Sequence, residues 1–518
     1  MPKSKPNIVF IVLDTHRVDR LGCYGYSRGT SPNLDKFASE ATLFENAISP
    51  AQWTIPSHAS MFSGEFPSTH LTLQASSMLS GDFTTLAEHL KEEGYNTTGF
   101  CNNPLVGVLE NGLRRGFEHF YNYGGAIQST PMENGNMPLK ALQGIRDGYQ
   151  KVMQRVAVPI QQAIAGSPAV FKFILNPRLV SLWTRYANFK GNGPSSIKDT
   201  HDYFQRKTRE GQKPQFVFLN LMGTHLPYTP PDKFITEFAS IIKDDPEAAK
   251  FMRDYNTRAF HWLLPMKEPY TEMEARTLSD MYDAEVAYQD HLLGQLLENL
   301  SHPDIRDNTM VIIVGDHGEM LGEHNLMGHG LGLYQELIHV PLIIRFPGQE
   351  AGERVTGPVS TTYVYHTALE SAGIEEAHPE YAEPIQTRAH SLKSKTPDLK
   401  RVFSEGYPPM NLIKIIEKQE SAIMDEFNCE AIHWAIFENN YKLLRVDAIQ
   451  DELFNLAEDP SEIHHLDKEE EQLEDFGAAL DACLAWAGSR SPGDISQQPG
   501  NLYDEQVQER MRALGYIE

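Results

Sequence analysis

Asp14, Thr54 and the adjacent pair Asp316-His317 are the residue types that hold a divalent cation beside a hydroxyl nucleophile. A neighbouring Asp-His with a distant Asp makes a mixed oxygen and nitrogen set, which suits zinc or manganese better than calcium, whose preference is for oxygen alone. A threonine hydroxyl is a poor nucleophile at neutral pH and needs a base or coordination to a cation to ionise. The segment Trp53-Thr54-Ile55-Pro56-Ser57-His58-Ala59-Ser60 reads as a loop entering a helix, with Pro56 near the first turn and Thr54 just ahead of it. A hydroxyl there faces free backbone N–H groups and the positive end of the helix, where an anion is favoured. The plainer reading is that Thr54 or Ser57 serves only as a helix cap.

These residues need a scaffold that brings them together. Asn7–Leu13 (NIVFIVL) is an apolar, β-branched run that stops at Asp14, the pattern of a strand buried on both faces of a parallel sheet. The pattern recurs at residues 216–221 (FVFLNL), followed by Met222-Gly223-Thr224-His225, and at 310–314 (MVIIV), followed by Gly315-Asp316-His317-Gly318. Helical stretches at 33–40, 85–93 and 277–300 lie between them. The alternation predicts an α/β fold, a large and mostly parallel sheet with helices on both faces. Ligands of such sheets bind beyond the carboxyl ends of the strands, where Asp14, His225, Asp316 and His317 all fall.

Two regions break the alternation. Residues 123–193 are rich in helix formers and bounded by Gly124-Gly125 and by Gly191-Asn192-Gly193-Pro194; they read as a helical insertion that either covers the site or serves packing between copies. Beyond residue 385 the chain becomes more polar and then offers strand-like runs at 433–437 and 441–446 and helical segments at 473–487 and 505–514. The expected organisation is a main domain over 1–385 and a small C-terminal α+β domain with its tail over 386–518, the boundary falling between 375 and 400. The insertion and the tail are the segments that would carry contacts in a homo-oligomer.

Bulk composition narrows the partners. The chain has 518 residues, 41% of them apolar, and a formal charge of −25, which repels the phosphate backbone of nucleic acid. A small anionic ligand would have to be drawn in by a local cation. No window is long and apolar enough for a membrane span. The opening Met1-Pro-Lys-Ser-Lys-Pro6 lacks a secretory cleavage site, so the expected compartment is the cytoplasm. Cys23, Cys101, Cys429 and Cys483 are far apart, without a CxxC pair, and are expected as reduced, buried thiols.

Longer motifs carry a resemblance. Asp14-Thr15-His16-Arg17-Val18-Asp19-Arg20-Leu21-Gly22-Cys23-Tyr24-Gly25-Tyr26, with Thr30-Ser31-Pro32-Asn33-Leu34-Asp35 after it, resembles the opening of sulfatase-like hydrolases of the alkaline phosphatase superfamily. Residues 53–64 resemble their nucleophile segment. Gly315-Asp316-His317-Gly318-Glu319-Met320-Leu321-Gly322-Glu323-His324, continuing through His329-Gly330 to Val340-Pro341-Leu342-Ile343-Ile344-Arg345, is similar to their second metal-binding stretch. Leu453-Phe454-Asn455-Leu456-Ala457-Glu458-Asp459-Pro460 is similar to their C-terminal signature. The resemblance implies that Asp14, Asp316 and His317 are metal ligands and that Thr54 is the nucleophile and also a ligand. It implies that His225 and His329 hold the substrate anion, protonate the leaving group or bind a second metal. His324 is expected to be structural.

The departures refine this. Where formylglycine-dependent sulfatases carry Cys or Ser and, four residues on, Arg, this chain has Thr54 and His58, and threonine cannot become that aldehyde. An ionisable imidazole at His58 supports the nucleophile differently from a permanently charged guanidinium. The usual second aspartate is Thr15, and the lysine and histidine after the next strand are absent, with Cys101-Asn102-Asn103-Pro104 there instead. Asn103 either donates to a substrate oxygen or simply forms a turn before Pro104. Threonine nucleophiles in this superfamily imply a phosphate-type ester: a phosphodiester, phosphonate monoester or phosphomonoester. The alternatives are a sulfatase with unmodified threonine, a transferase of a phospho group, whose relatives are usually membrane-tethered, and a non-catalytic ligand-binding relative.

Overall fold

The computed structural model describes residues 5–124, 129, 131, 190–211, 213–257, 264–374, 392–394, 401–447, 449–466 and 470–490. Its main sheet has eight strands: β1 (Asn7–Leu13), β2 (Thr42–Ile48), β3 (Asn96–Cys101), β4 (His119–Asn122), β5 (Gln215–Leu221), β6 (Thr309–Gly315), β9 (His339–Arg345) and β10 (Glu353–Ser360), in the order β10-β2-β9-β6-β1-β5-β3-β4. β9 alone is antiparallel to its neighbours, and the other seven strands run one way. β7 (Met320–Leu321) and β8 (Met327–Gly328) form a separate small hairpin.

Strand alternation explains why β1, β5 and β6 carry apolar residues on both faces. Ile8, Phe10 and Val12 enter one core and Val9, Ile11 and Leu13 the other, and Phe216 and Phe218 are likewise separated from Val217, Leu219 and Leu221. The first core takes Ala59, Met61 and Phe62 from the helix Thr54–Ser63, with Leu86 and Leu90 from Leu86–Glu92. The second takes Leu278, Met281, Tyr282 and Leu293 from the long helix Glu272–Leu300 and Phe204 from Gly193–Glu210. The long helix begins five residues before its predicted start, because a capping box between Thr271 and Glu274 extends it past its apolar stripe.

A second, antiparallel sheet holds β11 (Val402–Gly406), β12 (His433–Glu438), β13 (Tyr441–Val446) and β14 (Gln450–Asn455) in sequence order, backed by the helix Glu470–Ser489. Phe66 and Leu71 of the main body join Phe403, Trp434, Phe476 and Leu480 in one core, with the Phe66 and Phe403 rings stacked 3.8 Å apart. The two sheets therefore share apolar surface. Among the described residues no helix is long and apolar enough to cross a membrane. The four cysteines are free thiols, three of them buried and Cys23 half-buried. Most of the expected insertion, most of the 375–400 boundary and the helical segment at 505–514 lie outside the described residues.

Candidate active site

The carboxyl edge of the main sheet gathers the side chains singled out above. Asp14 follows β1, Asn103 follows β3, His225 follows β5, and Asp316 and His317 follow β6. Thr54 arrives from the loop after β2 as the first residue of its helix rather than the residue ahead of it; the cap is Trp53, and no side chain caps the end. The Thr54 hydroxyl is consequently not spent on capping. Its Oγ1 lies 3.3 Å from His317 Nε2 and 3.4 Å from Asn103 Nδ2.

Each carboxylate has one oxygen filled and one open. Asp14 Oδ2 accepts from Asn103 Nδ2 at 2.7 Å and Asn220 Nδ2 at 3.3 Å, and Asp316 Oδ1 accepts from the backbone N–H groups of His317 at 2.9 Å and Thr15 at 3.2 Å. Asp14 Oδ1 and Asp316 Oδ2 are buried and accept no hydrogen bond from the described residues. His317 donates from Nδ1 to the Gly318 carbonyl at 2.9 Å, which leaves the Nε2 lone pair facing Asp316 Oδ2 at 3.4 Å and Asp14 Oδ1 at 4.0 Å. Ligand atoms of Asp14, Asp316 and His317 all lie within 4.8 Å of one another. Two orphaned carboxylate oxygens beside an imidazole lone pair fit a divalent cation, and the filled oxygens supply the outer hydrogen bonds such a centre needs. Burial pushes Asp14 up to about 6, opposed by the Asn103 amide, and raises Asp316 through burial and the neighbouring Asp14 charge. A cation would relieve both.

The remaining predicted residues surround this cluster. His58 is fully buried one turn after Thr54, its Nδ1 2.9 Å from the Thr54 carbonyl and 3.5 Å from Asp316 Oδ2, and burial lowers it to about 4. It touches the Thr54 backbone rather than the Thr54 hydroxyl. The rings of His225 and His329 are 5.2 Å apart, and His329 is 4.5 Å from the His317 ring. Burial lowers His225 to about 3, while in His329 the same penalty is outweighed by Glu319, whose Oε1 is 2.9 Å from Nδ1. Asn103 forms the turn before Pro104, its Oδ1 accepting from Leu105 N, while its Nδ2 reaches Asp14 and Thr54. His324 stacks on Tyr334 at 3.6 Å, a structural contact. Thr15, at φ 57°, donates its hydroxyl to the Asp14 carbonyl.

Sequence reasoning passed over Asn220, Glu319 and Ser49 and weighed Ser57 only as a helix cap; the Ser49 and Ser57 hydroxyls both donate to the Asp316 carbonyl. Asn220 had a signal: an amide near the carboxyl end of β5, directly after the apolar run Phe216-Val217-Phe218-Leu219.

The sulfatase family model matches residues 6–374, which takes in every side chain of this site. The chain belongs to the sulfatase family. Enzymes of this family are hydrolases and use a divalent metal. Similar proteins include an arylsulfatase of Clostridium perfringens, 24% identical with 91% of this chain and 92% of that protein covered, and a choline-sulfatase of Rhizobium meliloti, 24% identical with 90% and 83% covered. Among solved structures, phosphonate monoester hydrolase of Agrobacterium radiobacter aligns with a TM-score of 0.63 at 19% identity, covering 95% of this chain and 97% of the other. That last likeness is one of fold. Thr54 and His58 are the two positions of the helix Thr54–Ser63 that depart from the formylglycine pattern.

Proposed function

We propose that the chain hydrolyses a phosphate-type ester, whether a phosphodiester, a phosphonate monoester or a phosphomonoester, with Thr54 as a covalent nucleophile. The observation that carries this reading is the placement of Thr54 Oγ1, 3.3 Å from His317 Nε2, among the donor atoms that Asp14 and Asp316 leave open. Asp14, Asp316, His317 and Thr54 would hold the cation, manganese or zinc in preference to calcium. Bound there, it favours the ionised hydroxyl and offsets negative charge on the ester oxygens.

The chain's own residues perform the rest. The helix Thr54–Ser63 directs its N-terminal N–H groups toward the anion, and Asn103 steadies Oγ1 between itself and His317. Thr54 Oγ1 attacks phosphorus in line, the bond to the leaving oxygen breaks, and one of His225 and His329 protonates that oxygen. The Glu319 bond to His329 Nδ1 supports His329 in this role. Water then cleaves the Thr54 ester. A second reading, sulfate ester hydrolysis with unmodified threonine, is favoured by the sulfatases among the relatives.

Turnover of four aryl esters sharing one leaving group (phosphate monoester, phosphodiester, phosphonate monoester and sulfate), with Mn²⁺ or Zn²⁺ supplied, separates the two. Preference for a phosphorus ester supports the first reading and preference for sulfate the second. Thr54→Ala should lower turnover by ~10³-fold or more with little change in melting temperature. Near-normal turnover would remove Thr54 from the mechanism.

A further inference from the structure

Asn220 sits on β5 opposite Val12 of β1 and Cys101 of β3, on the sheet face that the helix Thr54–Ser63 covers. An amide buried there is expensive unless every polar atom is used. Its orientation is fixed by chemistry: Oδ1 lies 3.1 Å from the Asn103 backbone N–H, which can only donate, so Nδ2 must point the other way. Nδ2 then meets two acceptors, Asp14 Oδ2 at 3.3 Å and His58 Nε2 at 3.4 Å. His58 Nδ1 faces the Thr54 carbonyl, which can only accept, so Nδ1 carries the ring proton and Nε2 must receive. One amide thereby joins β1, β3, β5 and the nucleophile helix, and both of its N–H bonds end on groups of the site.

We infer that Asn220 is a positioning residue of this centre: it holds His58 in the Nδ1–H tautomer that anchors Thr54 and occupies one Asp14 oxygen so that the other faces the cation. This rests on the proposed roles of Asp14 and Thr54. Two neutral amides, Asn220 and Asn103, fill Asp14 Oδ2, and neither adds a positive charge that would compete with a metal ion. Hydrogen bonds of this outer kind set the donor strength and direction of a ligating group, and removing one typically lowers metal affinity or activity ~10–100-fold.

The test uses the full chain with Asn220→Leu and with Asn220→Asp, the second of which keeps the acceptor for Asn103 N and loses both donors. Mn²⁺ affinity is measured by calorimetry, His58 by nitrogen NMR of histidine-labelled protein with His58→Gln as the assignment control, and kcat and KM on the best ester of the panel. The expected result is ~10–100-fold weaker Mn²⁺ binding, a fall in kcat larger than the change in KM, and loss of the single Nδ1–H signature of His58. Should Asn220→Leu fail to fold, Asn220→Asp decides on the same readouts. Mn²⁺ affinity within threefold of the parent together with an unchanged His58 signature would overturn the inference. Metal binding and the His58 signature are read without turnover, so a fully active Thr54→Ala would sink the nucleophile assignment and leave this result standing.

Discussion

At the carboxyl edge of the main sheet Asp14 and Asp316 each leave an oxygen without a hydrogen bond, whereas at the junction with the small sheet the buried pair Lys442 and Glu462 is closed. Lys442 Nζ donates to Glu462 Oε1 and to the Leu333 carbonyl, and Glu462 Oε2 accepts from Gln335 N at 2.7 Å. Burying a charge is costly in both places, but only the closed pair is compensated by the protein alone. An open valence on a buried carboxylate persists where something outside the chain fills it, which separates a site from a structural ion pair more sharply than burial or charge does.

The sharpest way to break this comparison is to neutralise one open carboxylate. Asp316→Asn removes a strong oxygen donor and a buried like charge beside Asp14. Metal content of the purified variant should fall by ~10-fold or more, and turnover with it. The metal-free variant should melt at or above the temperature of the metal-free parent, because the repulsion between two buried carboxylates is gone. Metal addition should raise the melting temperature of the parent and not of the variant. Parent-like metal content in Asp316→Asn would show that this oxygen is not a donor.

The closed pair should respond in the opposite sense. Lys442→Met strands Glu462 among apolar neighbours and is expected to destabilise the fold by about 3–5 kcal/mol in urea titrations, without reducing metal content per folded molecule. Replacing both partners, Lys442→Met with Glu462→Gln, should recover most of that loss. A double variant as unstable as the single one would mean that the pair does more than compensate itself.

The same distinction explains what was legible in the sequence. β1, β5 and β6 were readable because strands buried on both faces carry long apolar runs, and the chemistry-bearing residues lie in the loops that follow them. Asp14, Asp316 and His317 could be named because an adjacent Asp-His at a strand end is a metal-binding pattern, and Thr54 because Pro56 marks the first turn of a helix. The partners that hold them were not readable: Asn220 reaches Asp14 Oδ2, and Ser49 and Ser57 reach the Asp316 backbone carbonyl, across 206 to 267 residues of chain. Glu319 lies only 10 residues from His329, but nothing in their spacing fixes a side-chain bond across the β7–β8 hairpin. The antiparallel β9 was hidden for a related reason, since direction within a sheet is set by connections rather than by the pattern of one strand.

A smaller effect sharpens the comparison on the closed side. Glu405 on β11 is fully buried and has three donors, Ser68 Oγ at 2.8 Å, Ser68 N at 3.1 Å and the Tyr407 hydroxyl at 2.7 Å. Burial nevertheless pushes its carboxyl up to about 7, because the donors from Tyr407 and Ser68 offset only part of the lost hydration. A carboxyl raised in the folded state favours the protonated form, so its contribution is fully present below its ordinary value of 4.5 and is lost as pH climbs through 7. Glu405→Gln mimics the protonated form: its carbonyl can take the bonds from Ser68 N and Tyr407, and its NH₂ can donate to Ser68 Oγ. At pH 5 parent and variant should melt together, and at pH 8.5 the variant should be the more stable by on the order of 1–3 kcal/mol. Parallel stability curves across that range would mean that the three donors hold Glu405 as a fully compensated anion, and the junction would then be closed at this position as tightly as at Lys442 and Glu462.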